Sequence, residues 1–142
     1  PATGSLVLGI TPSTTVNDAR LEFTDAGIDG KLPAADERIL LRLDTKHKIF
    51  ADAATKPKSF TATLNPKTGL ITGSFVLTEN NPFATRPTPV NRTVPWHAMI
   101  VKDATGQQGI GHFLLPQLPS SSTEKATATP ILSGQVVFEK LP

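Results

Sequence analysis

The sequence predicts an all-β domain, an antiparallel barrel or barrel-like meander of about seven to nine strands joined mostly by hairpins. The composition is the first reason, because 13 Pro and 10 Gly among 142 residues, with only 18% charged residues, are typical of short strands separated by turns. The second reason is that apolar residues recur with a period of two, and no amphipathic helix of convincing length is present. A chain of this length is expected to form one domain, residues 1–142.

The clearest element is a β-hairpin whose arms are residues 59–64 and 70–77. Apolar or small residues occupy every second position of both arms, which predicts that one face of the hairpin is buried. Between the arms, Asn65 suits the first position of a turn and Pro66 presets the next backbone angle. Gly69 can adopt a positive φ in a bulge that restores the twist of the strands.

Similar patterns predict the remaining strands and the core. Strands are expected near residues 4–10, 19–23, 38–43, 49–51, 59–64, 70–77, 93–102, 109–115 and 131–139. The core is expected to include Phe60, Leu64, Ile71, Phe75, Trp96, Ile100, Phe113 and Val136.

Two of these strands carry expectations about their position in the sheet. Residues 93–102 are apolar on both faces, which favours a central strand covered on both sides. Pro95 within it cannot donate a backbone hydrogen bond and instead favours an edge or a bulge. The closing strand, 131–139, is expected to pair with an edge of the sheet and to help close a barrel.

Two segments lack periodicity: residues 78–91 are predicted to be a long loop or an edge excursion of the sheet, and residues 116–130 a low-complexity loop. Thr78–Asn91 contains three prolines and includes Arg86, and Pro116–Pro130 contains a run of Ser and Thr. Because binding residues are concentrated in loops, these are the two places where a ligand site is expected if the domain has one.

Three strands share a Gly-x-apolar step, at Gly73, Gly111 and Gly134. Residues two apart lie on one face of a strand, so each step places a bare glycine beside a large apolar residue. This pattern suits a tightly coiled sheet in which an aromatic ring from the next strand covers the gap.

The order of these motifs resembles modules found, often near the C-terminus, in large exported bacterial proteins. Such modules read roughly T-G-x-x-x-G-x-F, then G-x-G-x-F-L, then S-G-x-V. Here the corresponding stretches are TGLITGSF at 68–75, GIGHFL at 109–114 and SGQV at 133–136, and the resemblance covers about residues 59–139. Leu115-Pro116 stands where a glycine is expected, and the loop before the last strand is longer. The resemblance implies an all-β, extracytoplasmic, non-catalytic module and supplies no catalytic residues.

Charge and cysteine content exclude several classes of function. The net charge is only +2 and the basic residues are scattered, so no nucleic-acid partner is expected. No apolar run is long enough to cross a membrane, so no membrane insertion is expected. The absence of Cys removes disulfides and thiolate chemistry. Because the chain begins at Pro1, it is expected to be a piece of a larger secreted or cell-surface protein.

Histidines offer the main prospect of a metal site. His97 and His112 could lie opposite each other on paired strands and form half of one, since zinc usually takes three or four such ligands. No H-x-H, H-E-x-x-H or suitably spaced carboxylate accompanies them. They are therefore expected to be ordinary strand histidines, with no metal and no cofactor.

Catalysis is not expected, because no G-x-S-x-G motif exists and no pair of acids stands out. The favoured function is a non-catalytic structural or interaction module that contacts the rest of its parent polypeptide or a surface partner. The alternative is a carbohydrate- or small-ligand-binding module that uses loops 78–91 and 116–130. Its candidate ligand-binding residues are Trp96, His97, His112 and Arg86.

Trp96 distinguishes the two functions. Sugar platforms present exposed Trp or Tyr rings, but the chain has no Tyr and its single Trp lies on an apolar strand face. A hollow ligand-binding barrel would likewise be filled by Phe75, Phe113 and Trp96. A buried Trp96 favours the structural module, and an exposed Trp96 in a groove favours the binder.

Overall fold

A computed structural model describes residues 7–34, 36–104 and 106–142. In this part of the chain, eight strands form one antiparallel sheet in the order β3-β2-β1-β8-β7-β6-β5-β4. The strands are β1 (Ala19–Thr24), β2 (Arg38–Leu43), β3 (Ile49–Ala51), β4 (Lys58–Leu64), β5 (Leu70–Asn80), β6 (Pro89–Asp103), β7 (Gly106–Pro116) and β8 (Ile131–Lys140). The all-β, antiparallel prediction is confirmed. No helix within the described ranges is both long and apolar enough to cross a membrane.

The sheet curls into a nearly closed barrel. One meander contains β1 to β3 and another contains β4 to β8, and the pairing of β1 with β8 joins them. The two edge strands, β3 and β4, lie next to each other without forming a ladder. Both edges are poor templates for further pairing, because β3 has three residues and β4 has a bulge between Lys58 and Thr61.

The closing strand lies inside the sheet and not at its edge, but it helps to close the barrel as expected, because it joins the two meanders. In β8, Phe138 pairs with Gly109 of β7 on one side and with Leu21 of β1 on the other. Sequence pattern marks a strand but does not identify its neighbours, and here the last strand holds the two meanders together.

The turn of the β4–β5 hairpin forms as predicted. The Asn65 backbone N–H donates to Leu70 O at 2.8 Å, and the Gly69 N–H donates to Asn65 O at 2.9 Å. The Asn65 side-chain oxygen accepts from the Lys67 backbone N–H at 3.0 Å, and Gly69 adopts φ 75°. Asn and Gly therefore occupy this turn for local backbone reasons.

Thr78–Asn91 is not one long loop. β5 and β6 remain paired through Thr78–Asn91 and as far as Asn80–Pro89, so the connection shortens to residues 81–88. The Thr78 hydroxyl donates to the Asn91 side-chain oxygen at 2.7 Å across the two strands. The prediction failed because these exposed strand ends are polar, and Pro89 is tolerated as the first residue of β6.

The outer face of β6 is open, which corrects the expectation of cover on both sides. Met99 and Val101 are 42% and 39% exposed. Pro95 lies in an inner strand, between β5 and β7, but just beyond the end of the β6–β7 ladder, which begins at the Trp96–Phe113 pair. A missing backbone donor is therefore tolerated there.

The predicted first strand, residues 4–10, is wrong for its described part. Residues 4–6 lie outside the described ranges, and Val7–Gly9 form a 3₁₀ segment with Leu8 at φ 55°. Its apolar side chains are buried because they cover one end of the barrel, where the Leu8 backbone N–H donates to the Gln107 side chain at 3.0 Å. A short apolar run alone does not distinguish a strand from such a cap.

The interior of the barrel is filled by an aromatic cluster around Phe23. The Phe23 ring makes edge-to-face contacts with Phe75, Phe113 and Trp96 at centroid distances of 5.2, 5.5 and 6.0 Å. Ile28 and Leu32, between β1 and β2, are buried at the opposite end from Val7–Gly9. Six of the eight predicted core residues are buried; Phe60 and Ile100 are half-buried at the margin.

The glycine prediction is confirmed at two strands. A β-carbon on Gly73 would lie 2.6 Å from the Trp96 ring, and one on Gly134 would lie 2.3 Å from the Phe113 ring. Each ring thus occupies the space that a side chain would need, and glycine is required for the ring of the next strand to pack.

Candidate functional site

A histidine pair lies on the outer face of the β6–β7 hairpin. His97 and His112 are direct cross-strand partners, and both are exposed. Their ring centroids are 4.0 Å apart with an interplanar angle of 71°. Strands β6 and β7 approach each other closely at this pair. A β-carbon placed on Gly111 would lie only 1.8 Å from His97 O. The hairpin register therefore brings the two imidazoles together, as the sequence suggested.

The surroundings of the histidine pair are uncharged. Thr72 is the partner of His97 on β5, and Gln135 is the partner of His112 on β8. Two residues further along both strands, Met99 and Ile110 form the next outward-facing pair and are 42% and 39% exposed. The pair therefore lies on an open sheet face among polar and apolar neutral side chains.

Trp96 lies on the opposite face of the same strand. Its side chain points into the barrel and is only 3% exposed, and its ring stacks on Phe60 at a centroid distance of 6.0 Å. The indole N–H is buried and has no hydrogen-bond partner within the described part of the chain. Trp96 therefore does not join His97 in a surface site.

Arg86 lies in the exposed loop 81–88, away from the sheet face that carries the histidines. Its carbonyl accepts a hydrogen bond from the Thr88 hydroxyl at 3.0 Å, and the neighbouring Phe83 is 47% exposed. The second predicted loop, now residues 117–130, is closed at its base by the Gln117 backbone N–H and Pro130 O at 2.8 Å. Thus only two of the four predicted ligand residues come together.

A buried ionic network, absent from the sequence predictions, lies at the barrel end near the β5–β6 loop. The Arg92 side chain is buried and forms an ion pair with Glu79, and its Nη1 donates to Pro116 O at 2.7 Å. The other Glu79 oxygen pairs with Lys31 Nζ at 2.8 Å. One sequence pattern could have indicated it, because Arg92 continues the inward-facing series of Trp96 on β6.

The electrostatics of this network support a structural role. Burial lowers the pKa of Lys31, the positive charge of Arg92 lowers it further, and Glu37 opposes both effects. Burial also lowers the pKa of Arg92. The Glu37 carboxylate accepts backbone N–H groups of Gly30 and Leu32 within the segment between β1 and β2. The pair of Lys31 with Glu79 of β5 ties that segment to the barrel.

The described ranges hold surface depressions but no larger cluster of metal-ligating side chains. No group of three or more His, Cys, Asp or Glu side chains there could hold a metal ion. A shallow depression lies between Pro12–Thr14 and the hairpin tip Asp44–Lys46, outside the barrel. No protein-family model matches the chain, and neither a curated protein nor a solved structure matches it significantly.

Proposed function

We propose that this domain is a non-catalytic structural or interaction module of a larger secreted or surface-attached bacterial protein. The observation that carries the proposal is the packed barrel interior, in which Phe23 contacts Phe75, Phe113 and Trp96. A barrel that binds a ligand inside needs an unfilled cavity, whereas aromatic side chains fill the interior of this barrel.

The burial of Trp96 is the second support. Stacking on a sugar needs an exposed aromatic face, and Trp96 is 3% exposed in a chain that has no Tyr. Neither stacking on a glycan nor binding of a ligand in the interior therefore accounts for the buried aromatic cluster around Phe23. The cluster is accounted for if it makes the barrel rigid, so that the outer face of the sheet can contact a partner.

The outer face of the β6–β7 hairpin is the surface best suited to contact a partner. Met99, Val101, Ile110 and Leu114 point outward and are each 39–42% exposed. Apolar residues clustered in this way are typical of protein contacts. The partner we propose is a neighbouring segment of the same polypeptide, which fits the resemblance of residues 59–139 to modules of large exported proteins.

The experiment compares amide hydrogen exchange in the isolated domain and in the full-length parent protein. The proposal predicts slower exchange of β6 and β7 in the parent protein, with no change at the β2–β3 turn, which serves as the internal reference. Equal exchange of every strand in both proteins would contradict an interaction role for this face.

The alternative, a carbohydrate- or small-ligand-binding module, has one supporting observation. Phe83 is 47% exposed in the loop 81–88, which also carries the exposed Arg86. A glycan panel titrated into ¹⁵N-labelled domain distinguishes the functions. Saturable shifts at residues 81–88, lost in Phe83→Ala, would establish the binder, whereas no shifts would leave the structural module as the function.

A further inference from the structure

We propose that His97 and His112 form a bidentate site for a divalent transition-metal ion, Cu²⁺, Ni²⁺ or Zn²⁺, on the outer face of the barrel. The two residues are direct cross-strand partners, and their ring centroids are 4.0 Å apart. Neutral imidazole nitrogen is a preferred ligand for all three ions.

The geometry of the pair suits chelation. Two nitrogens that each bind one ion at about 2.0–2.1 Å must lie roughly 3 to 4 Å apart. Rings with centroids 4.0 Å apart reach that separation by small side-chain rotations. The hairpin fixes the backbone beneath both rings, since β6 and β7 are paired from Trp96–Phe113 to Asp103–Gly106. Little backbone entropy is therefore lost when an ion binds.

The imidazoles are also available as ligands. Within the described ranges, neither ring takes part in a hydrogen bond or an ion pair, and the two rings contact each other. The outward-facing neighbours Thr72, Gln135, Met99 and Ile110 carry no charge, so none repels a cation or titrates in place of the histidines. Water completes the coordination, which makes the site exchangeable and distinct from a four-ligand structural site.

The ligand type also predicts selectivity. Two imidazoles should bind Cu²⁺ most tightly, with Ni²⁺ and Zn²⁺ weaker, following the usual order for divalent ions. Mg²⁺ and Ca²⁺ prefer oxygen ligands and should not bind here. Because a ligating imidazole must be deprotonated, acidification should weaken binding of all three transition metals.

The test is isothermal titration calorimetry, which measures the affinity of the wild-type domain for CuCl₂, NiCl₂, ZnCl₂ and MgCl₂ in a non-chelating, mildly alkaline buffer. His97→Gln and His112→Gln should each reduce Cu²⁺ affinity about tenfold or more, since each variant removes one arm of the chelate. His47→Asn is the matched control; this third histidine lies alone at the β2–β3 turn at φ 62°, a conformation that Asn tolerates. It should leave the affinity unchanged.

A second measurement does not depend on variants. Substoichiometric Cu²⁺ should broaden the imidazole NMR resonances of His97 and His112 in the wild-type domain before those of His47. Broadening of all three histidines alike would overturn the proposal. So would full Cu²⁺ affinity in either Gln variant, or equal weakening by His47→Asn. A failure here leaves the packed interior, which carries the structural role, unaffected. The hydrogen-exchange comparison tests the partner contact on this face separately.

Discussion

The Trp96 ring covers Gly73 so closely that a β-carbon on Gly73 would lie 2.6 Å from two atoms of the indole. The same β-carbon would lie 2.0 Å from Thr61 O on the neighbouring strand. Only glycine at position 73 leaves room for the single tryptophan to pack over β5 and against Phe60 of β4.

Gly73→Ala should destabilise the domain by about 2 kcal/mol or more, because neither the indole nor the Thr61 carbonyl has room to move away. Chemical denaturation in urea measures the loss. Thr72→Ala, one residue away on the outer face, is the control and should cost about 1 kcal/mol or less. Equal stability of Gly73→Ala and wild type would show that the ring does not pack on Gly73.

Arg92→Met should lower the free energy of unfolding by about 2 kcal/mol or more. The substitution removes a buried cation that pairs with Glu79 and donates to Pro116 O, and it leaves both groups without that partner. Lys31→Met removes the other cation on the same carboxylate. That side chain is 26% exposed, so its loss should cost less, about 1 kcal/mol at most.

A double-mutant cycle distinguishes a true pair from two independent effects. Glu79→Gln should be more destabilising in the wild-type background than in Arg92→Met, because only the wild type retains the pair. If the two differences in urea unfolding were equal, Arg92 and Glu79 would not be coupled.

Asp52 should make stability depend on pH under acidic conditions. Hydrogen bonds from the Ala54 backbone N–H and the Asn17 side chain hold the pKa of Asp52 below its usual range. A depressed pKa stabilises the folded state above the pKa of a free aspartate, about 4, and the gain is lost as pH falls through the lower folded value.

Asp52→Asn should therefore lower the urea midpoint at neutral pH, and the difference from wild type should shrink below about pH 4. Asp29→Asn is the control, because that exposed carboxylate makes no hydrogen bond in the described part of the chain, and it should leave the neutral-pH midpoint unchanged. A difference for Asp52→Asn that stays constant down to pH 2 would contradict the assigned hydrogen bonds.

Much of the fold follows from local pattern. The strands β2 and β3 begin and end as predicted, because short alternating runs are bounded there by turn residues. The apolar run at Val7–Gly9 was wrongly predicted to be part of a strand, because its side chains are apolar for burial and not for strand pairing. The position of β8 between β7 and β1 depends on contacts across the whole chain, which periodicity does not encode.

In the candidate site, too, local pattern predicts some features and long-range contacts decide the others. The meeting of His97 and His112 follows from the register of one hairpin, which sequence spacing can indicate. The burial of Arg92 was not predicted, because its partners Glu79 and Pro116 come from different segments and a charged residue is expected to face solvent.

The measurement that tests the central claim most directly is the fluorescence of Trp96, the only tryptophan, with acrylamide as quencher and a glycan panel as ligand. A packed barrel predicts blue-shifted emission that resists the quencher and does not respond to any glycan, because the side chain is 3% exposed. Red-shifted, readily quenched emission that changes with one sugar would contradict the packed interior and would make the domain a binding module.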